Sequence, residues 1–272
     1  MPSYVITGVS RGLGFEFLRQ LSENPNNTVF GIVRDKATTD EKVSTELQGR
    51  SNIHILEADI LNYNALKKAA EAVAEISGGS VDYLISNAGY VSKFDAYDGI
   101  GTLGEKPQEL EEELLKSFKT NVVGTVHFIN LFLPLILKGQ TKKVIALSTG
   151  LADLDEVNKF DLEVTPLYTI SKVGLNAAIA KFSSQYKKEG VLFMAIAPGL
   201  IEVGQHIDAT PEQLQKLGGM MQAFLKYEPS FKGPVAPEVG IRKVISVMER
   251  ATIEDGFGGS FVSQNGDKHW LR

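Results

Sequence analysis

Tyr168 and Lys172 stand four residues apart in the segment LYTISK, a spacing that puts both side chains on one face of a helix, one turn apart. A phenol beside a fixed ammonium is a candidate proton donor. Its ordinary pKa is about 10, and a nearby cation favours the phenolate and brings the group toward working pH. Spacing alone is a weak signal, because Tyr63 and Lys67 repeat it and short motifs recur by chance. The Tyr63 pair opens a helical segment with no reactive neighbours and reads as surface or packing. The weight of the Tyr168 pair depends on the elements around it.

Those elements alternate. YVIT, TVFGIV, NIHILEA, VDYLIS, KVIALS, VLFMAIA and SFVSQ are short β-branched or apolar runs, and helical patterns begin near Leu13, Thr39, Asn62, Gln108, Thr165, Pro211 and Pro237. Such alternation predicts an α/β fold, a single doubly wound Rossmann domain of about seven parallel strands with helices on both faces, spanning residues 1–272. Residues 203–234 interrupt the alternation. There Thr210-Pro211-Glu212-Gln213 predicts a capped helix start, with Thr210 as N-cap and Pro211 at the first helical position. Leu214, Leu217, Met221, Phe224 and Leu225 then form an apolar face. This helix is either a lid over a ligand or an ordinary packed helix.

Composition narrows the function class. A chain of 272 residues, 43% hydrophobic, can bury a large core. A net charge of −5 with no basic block argues against nucleic acid or an anionic membrane as the main partner. The absence of cysteine excludes disulfides and thiolate metal sites, and no metal is expected. The opening MPSYVITG lacks a basic leader and enters a strand at once, while the apolar stretch from Phe128 to Leu137 is interrupted by Asn130 and Pro134. A soluble, cytoplasmic protein is the expectation.

TGVSRGLG, Thr7 to Gly14, follows the first strand and opens a helix. In that setting Gly8, Gly12 and Gly14, with Ser10, Arg11 and Leu13 between them, allow main-chain N–H groups to approach a phosphate. The spacing differs from G-x-G-x-x-G, and a plain glycine turn is the alternative.

With these residues in view, the chain resembles the short-chain dehydrogenase/reductase family along nearly its whole length. The resemblance implies that Gly8, Gly12 and Gly14 line a pyrophosphate, that Asp59 in EADI binds an adenine amino group, and that Ile60 packs beside the ring. It matches Asn87-Ala88-Gly89 to the family's N-A-G segment, Asn121 in KTNVVGT to the helix asparagine of the active site, and Pro198-Gly199 to the turn that meets a nicotinamide. Taken singly these have plainer readings: Asp59 as a helix cap, Asn87 as a turn residue, Asn121 as a solvated helix residue. The end of the second strand bears on the cofactor. A carboxylate there suits the 2′-hydroxyl of NAD, whereas Val33 followed by Arg34, with Arg11 in the glycine loop, suits the 2′-phosphate of NADP(H). Asp35 is the competing feature, since it could pair with Arg34 or bind a ribose.

The implied chemistry is reduction of a carbonyl, with Tyr168 donating the proton, Lys172 lowering its pKa and holding the nicotinamide ribose, and Asn121 holding a water that connects Lys172 to solvent. A hydroxyl at the end of the fifth strand completes such sites. In VIALSTG the family pattern points to Thr149, but a one-residue change of register would present Ser148. Two departures stand out. The gap from Thr149 to Tyr168, filled by ADLDEVNKFDLEV, is long, and Val203 replaces a threonine that contacts the carboxamide, leaving Gln205 or a main-chain group to make that bond. Among subgroups the chain is similar to fungal reductases of the norsolorinic acid ketoreductase type and to sniffer-type carbonyl reductases. That similarity implies a bulky ketone and secondary metabolism. The competing function class is an NADP-binding sensor or scaffold without turnover. The apolar helices carrying Asn121 and Tyr168 are of the kind that pair across subunit axes in the family, so a homodimer or homotetramer is a further expectation.

Overall fold

The seven apolar runs become seven parallel strands in a computed structural model of the chain, which describes residues 1–204 and 207–271. They are β1 (Ser3–Thr7), β2 (Thr28–Val33), β3 (Ile53–Glu57), β4 (Tyr83–Ser86), β5 (Lys143–Leu147), β6 (Leu192–Ala197) and β7 (Phe261–Ser263), in the sheet order 3-2-1-4-5-6-7. β1, β4, β5 and β6 are buried along their whole length, as expected for strands covered on both faces, and this is why they read as continuous apolar runs.

The helices are α1 (Gly12–Leu21), α2 (Lys36–Glu46), α3 (Tyr63–Ser77), α4 (Ile100–Leu103), α5 (Pro107–Phe118), α6 (Thr125–Ile136), α7 (Leu154–Lys159), α8 (Pro166–Tyr186), α9 (Pro211–Tyr227) and α10 (Pro237–Arg250). Their starts have local causes. Asn62 caps α3 by accepting from Ala65 N, and Thr210 and Gln213 form the expected reciprocal capping box of α9. The helix expected near Thr39 begins at Lys36, because the Asp35 carboxylate caps it by accepting from Thr38 N at 3.0 Å. The pattern from Gln108 onward is one continuous rod of α5, a π-helical turn over Lys119–Gly124, and α6.

Strand alternation sorts the core into two layers. Ile145 and Leu147 of β5 pack with Phe17 and Leu18 of α1 and Val244 and Met248 of α10. Val144 and Ala146 point the other way, onto Leu66 of α3, Phe128 and Phe132 of α6, and Leu175 and Ile179 of α8. Each such fully buried large side chain contributes about 1.5–3 kcal/mol. That anchorage holds the strand ends, where the candidate residues lie, in a rigid frame.

α9 is covered on one side only. Phe224 is buried, while Leu214 and Leu225 are 53% and 47% exposed. Lys216 ties the helix to Asp98, in the loop after β4, through a 2.6 Å ion pair. No helix among the described residues is long and apolar enough to cross a membrane.

Candidate active site

The strand order reverses between β1 and β4, and the crevice beyond the carboxyl ends of the strands at such a point is where open parallel sheets take ligands. The glycine loop lies there. Gly8 has φ of 75° and donates from its N–H to Ile32 O at 2.7 Å. A Cβ on Gly14 would collide with the Gly8 carbonyl and come within 2.5 Å of Asn87 Nδ2, so no other residue fits the loop as it stands. Asn87 explains this tightness. Its Nδ2 donates to Thr7 O at 2.9 Å and Gly8 O at 3.1 Å, and the N–H groups of Asn87 and Ala88 donate to Thr7 Oγ1. Asn87 therefore shapes the loop with its amide, and Leu13 packs on the core beneath it. The N-cap of α1, Arg11, makes no side-chain cap, and the first turn of α1 has no acidic residue. That leaves an open, positive helix end suited to a phosphate.

Ser10, Arg11 and Arg34 are exposed at this end of the sheet. The carboxylate that competed with them is otherwise engaged. Asp35 accepts from Thr38 N and from Thr38 Oγ1 at 2.7 Å, and these bonds hold its carboxyl below the usual range. It makes no ion pair with Arg34. Asp59 uses Oδ1 to accept from Leu61 N at 2.9 Å, and Ile60 is buried against Gly124 at the start of α6.

α8 brings Tyr168 and Lys172 onto one face, as their spacing requires. Lys172 is buried, donates from Nζ to Leu147 O at 2.7 Å, and lies 5.5 Å from the centre of the Tyr168 ring. Burial lowers its pKa to about 8. Tyr168 keeps some contact with solvent, yet burial of its phenol pushes the pKa above its ordinary value. Desolvation, and not the lowering expected from Lys172, sets the direction of the shift. A phenol in this state keeps its proton, which suits a donor.

Asn121, fully buried in the π-helical turn, has its whole side chain engaged. Oδ1 accepts from Tyr90 N at 2.7 Å, and Nδ2 donates to Tyr90 O at 2.9 Å and to Ser171 Oγ at 2.8 Å. The amide clamps the loop after β4, because that loop passes directly over the turn. Asn121 and Lys172 still converge: a Cβ built on Gly89 would stand 3.3 Å from Asn121 Oδ1 and 3.7 Å from Lys172 Nζ. Ser171 escaped the sequence reading, although its place three residues after Tyr168 on the same helix face was the available signal. The second pair, Tyr63 and Lys67, lies away from this cluster, and Tyr63 packs edge-on against His127.

Ser148 and Thr149 differ in access. Ser148 follows the alternation of Val144 and Ala146, is 4% exposed, and its Oγ is sealed with no partner among the described residues. Thr149 is half-buried and accepts from Leu151 N at 3.3 Å, opening a short 3-10 turn over Gly150–Ala152. The long gap that follows folds into α7. It is held by the C-terminal tail, where Trp270 Nε1 donates to Asp153 Oδ2 at 3.1 Å and the indole stacks on Phe261 and presses on Gly150. Gly199, with φ of 84°, follows buried Pro198 and lies against the Gln264 side chain. Gln264 and Trp270 are tertiary contacts that no local pattern signals. Val203 is exposed, and Gln205 lies outside the described residues.

Comparison with known proteins agrees with this arrangement. The sequence pattern of the short chain dehydrogenase family matches residues 3–214. A short chain dehydrogenase, virK, of Hypocrea virens is 63% identical over the full length of both chains, and a short-chain dehydrogenase/reductase, iacC, of Pestalotiopsis fici is 52% identical, again over the full length of both. Among solved structures, an NADPH-bound carbonyl reductase from chicken fatty liver superposes with a TM-score of 0.77 at 20% identity, covering 98% of each chain. The carbonyl reductase Sniffer of D. melanogaster gives 0.76 at 22% identity with the same coverage. The chain belongs to the short-chain dehydrogenase family of oxidoreductases.

Proposed function

We propose that this protein is an NADPH-dependent reductase that converts a ketone or aldehyde to an alcohol, with Tyr168 as the proton donor. The observation that carries the reading is the convergence of a proton-retaining Tyr168, a buried Lys172 and Asn121 beside a glycine loop shaped for a phosphate. The loop fits a dinucleotide, since its floor at Gly14 has no room for a side chain and the open end of α1 is positive. Gly8, Ser10, Arg11, Gly12, Leu13 and Gly14 would hold the pyrophosphate, and Asp59 and Ile60 the adenine. Ala88, Gly89, Pro198, Gly199 and Val203 would border the nicotinamide end. The bound dinucleotide supplies the hydride. Tyr168 gives its proton to the carbonyl oxygen, and Lys172, charged below pH about 8, stabilises the phenolate left behind. The Asn121 main chain in the π-helical turn, whose normal helical bonding is broken, would link Lys172 to solvent.

Thr149 is the hydroxyl we assign to the substrate oxygen, because a substrate must touch it and the Ser148 hydroxyl is sealed. Thr149→Ala is expected to lower kcat about 100-fold, as loss of one oxyanion donor does, while Thr149→Ser and Ser148→Ala stay within about fivefold of the parent. Steady-state kinetics on one ketone decide this. A large loss at Ser148 with none at Thr149 would exchange the two roles.

Preference for NADPH rests on exposed Arg34 and Arg11, with Asp35 engaged as a helix cap. Arg34→Ala should weaken NADPH binding about tenfold or more while leaving NADH binding unchanged, read as dissociation constants by fluorescence titration. Equal losses for both would remove the 2′-phosphate clamp. Helix α9, with apolar residues left open and its ion pair to Asp98, is the proposed substrate lid, consistent with a bulky apolar ketone such as a secondary metabolite. Turnover of a panel of such ketones and aldehydes, followed as NADPH consumption, tests the activity. No turnover across the panel would leave only the binding function.

A further inference from the structure

Helix α8 starts without a cap of its own. Its N-cap residue, Thr165, lies in the left-handed region with φ of 56°, and its Oγ1 turns away to donate to Val164 O. Pro166 follows and has no N–H to offer. The first helix N–H groups in need of a partner belong to Leu167 and Tyr168, and both donate to one oxygen, Oδ2 of Asp95, at 2.8 and 3.0 Å. The Asp95 main-chain carbonyl accepts from Thr165 N at 2.9 Å. Asp95 is fully buried and comes from the loop after β4, far away in sequence. A cap normally comes from the residue just before the helix, so here another segment of the chain dictates where α8 begins.

The same loop is fixed at its other end, where the main chain of Tyr90 exchanges two hydrogen bonds with the Asn121 amide. Asn121 in turn donates to Ser171 Oγ, which donates to Tyr168 O at 2.7 Å. Residues 90–95 therefore run as a strap between the π-helical turn and the first turn of α8. Tyr168 is held at its N–H by one end of the circuit and at its carbonyl by the other.

We propose that Asp95 is a positioning residue for Tyr168, setting the start of α8 so that the phenol stands where the substrate oxygen will be. The proposal rests on the reading of Tyr168 as proton donor. Asp95 acts through bond acceptance at a fixed point and does not need its charge. Burial and the nearby Glu113 push its carboxyl up, while the two main-chain donors pull it down. An asparagine keeps an acceptor oxygen in the same place, and an alanine removes it.

Asp95→Ala and Asp95→Asn in the full chain, measured for kcat, carbonyl KM and NADPH dissociation constant, test the assignment. The alanine variant is expected to lose about 30- to 100-fold in kcat, the scale of a small misplacement of a reacting group, with NADPH binding within about twofold of the parent. The asparagine variant is expected to recover to within about fivefold. An alanine variant with kcat within about threefold of the parent, an asparagine variant as impaired as alanine, or NADPH binding lost in step with kcat would each overturn the proposal. Should the alanine variant not fold, Asp95→Glu, which displaces the oxygen by one methylene, takes its place with the same expectations. Tyr168→Phe separates the two readings. If it abolishes turnover while Asp95→Ala keeps kcat within about threefold of the parent, the positioning role fails alone; if it turns over like the parent, the donor reading fails and this proposal with it.

Discussion

Tyr168→Phe should lower kcat for carbonyl reduction by about 1,000-fold, within the range general acid catalysis supplies, and leave the NADPH dissociation constant within about twofold. The loss corresponds to about 4 kcal/mol in the barrier. Phenylalanine fills the same space, and the main-chain bonds of residue 168 to Asp95 and Ser171 do not involve the ring. Folding should therefore survive, and only the transferable proton is removed. Because burial holds the phenol above its ordinary pKa, the wild-type donor stays protonated through the neutral range. Reduction should consequently be favoured over alcohol oxidation at neutral pH, where the phenolate needed as a base is scarce. A phenylalanine variant that keeps more than about a tenth of the parent kcat would mean that another group protonates the substrate.

Lys172→Met should cost about 100- to 1,000-fold in kcat and should also flatten the pH profile. Lys172 is a base whose folded pKa is depressed by burial to about 8, so its charged form prevails below that pH and is lost above it. Wild-type kcat/KM, which reports the free enzyme, should fall as pH rises through about 8. Methionine matches the aliphatic stem but cannot donate to Leu147 O or carry charge. Its profile should lack the fall near pH 8. Persistence of that fall in the variant would assign the ionisation elsewhere.

What could be read from the sequence follows from how local each determinant is. The β5 and β6 strands were visible because both faces are buried, which favours apolar residues at every position but Lys143 at the start of β5. The glycine loop was visible because Gly8 and Gly12 adopt positive φ, which favours glycine, and Gly14 has no room for a Cβ. The capping box of α9 was visible because all its partners lie within four residues. Helix α7 was not, since LDEVNK is short and charged, contributes no buried residue, and depends on the Asp153 cap and its tie to Trp270. The engagement of Asn121 was also hidden. The partners of its amide could be named only once the path of the loop after β4 was known. The same holds for Tyr168, whose pKa depends on how deeply the ring is buried. Which of Ser148 and Thr149 is sealed and which is half-buried depends on one residue of register at a strand end, which pattern alone does not settle.

Hydride transfer itself provides the most direct test of the central claim. The full-length protein would be incubated with NADPH carrying deuterium at the transferring position and a bulky ketone, and the alcohol product analysed by mass spectrometry. The account predicts one deuterium on the carbinol carbon of the product, formed by the wild type and strongly reduced in Tyr168→Phe. Tight NADPH binding with no deuterated alcohol from any ketone or aldehyde offered would contradict it.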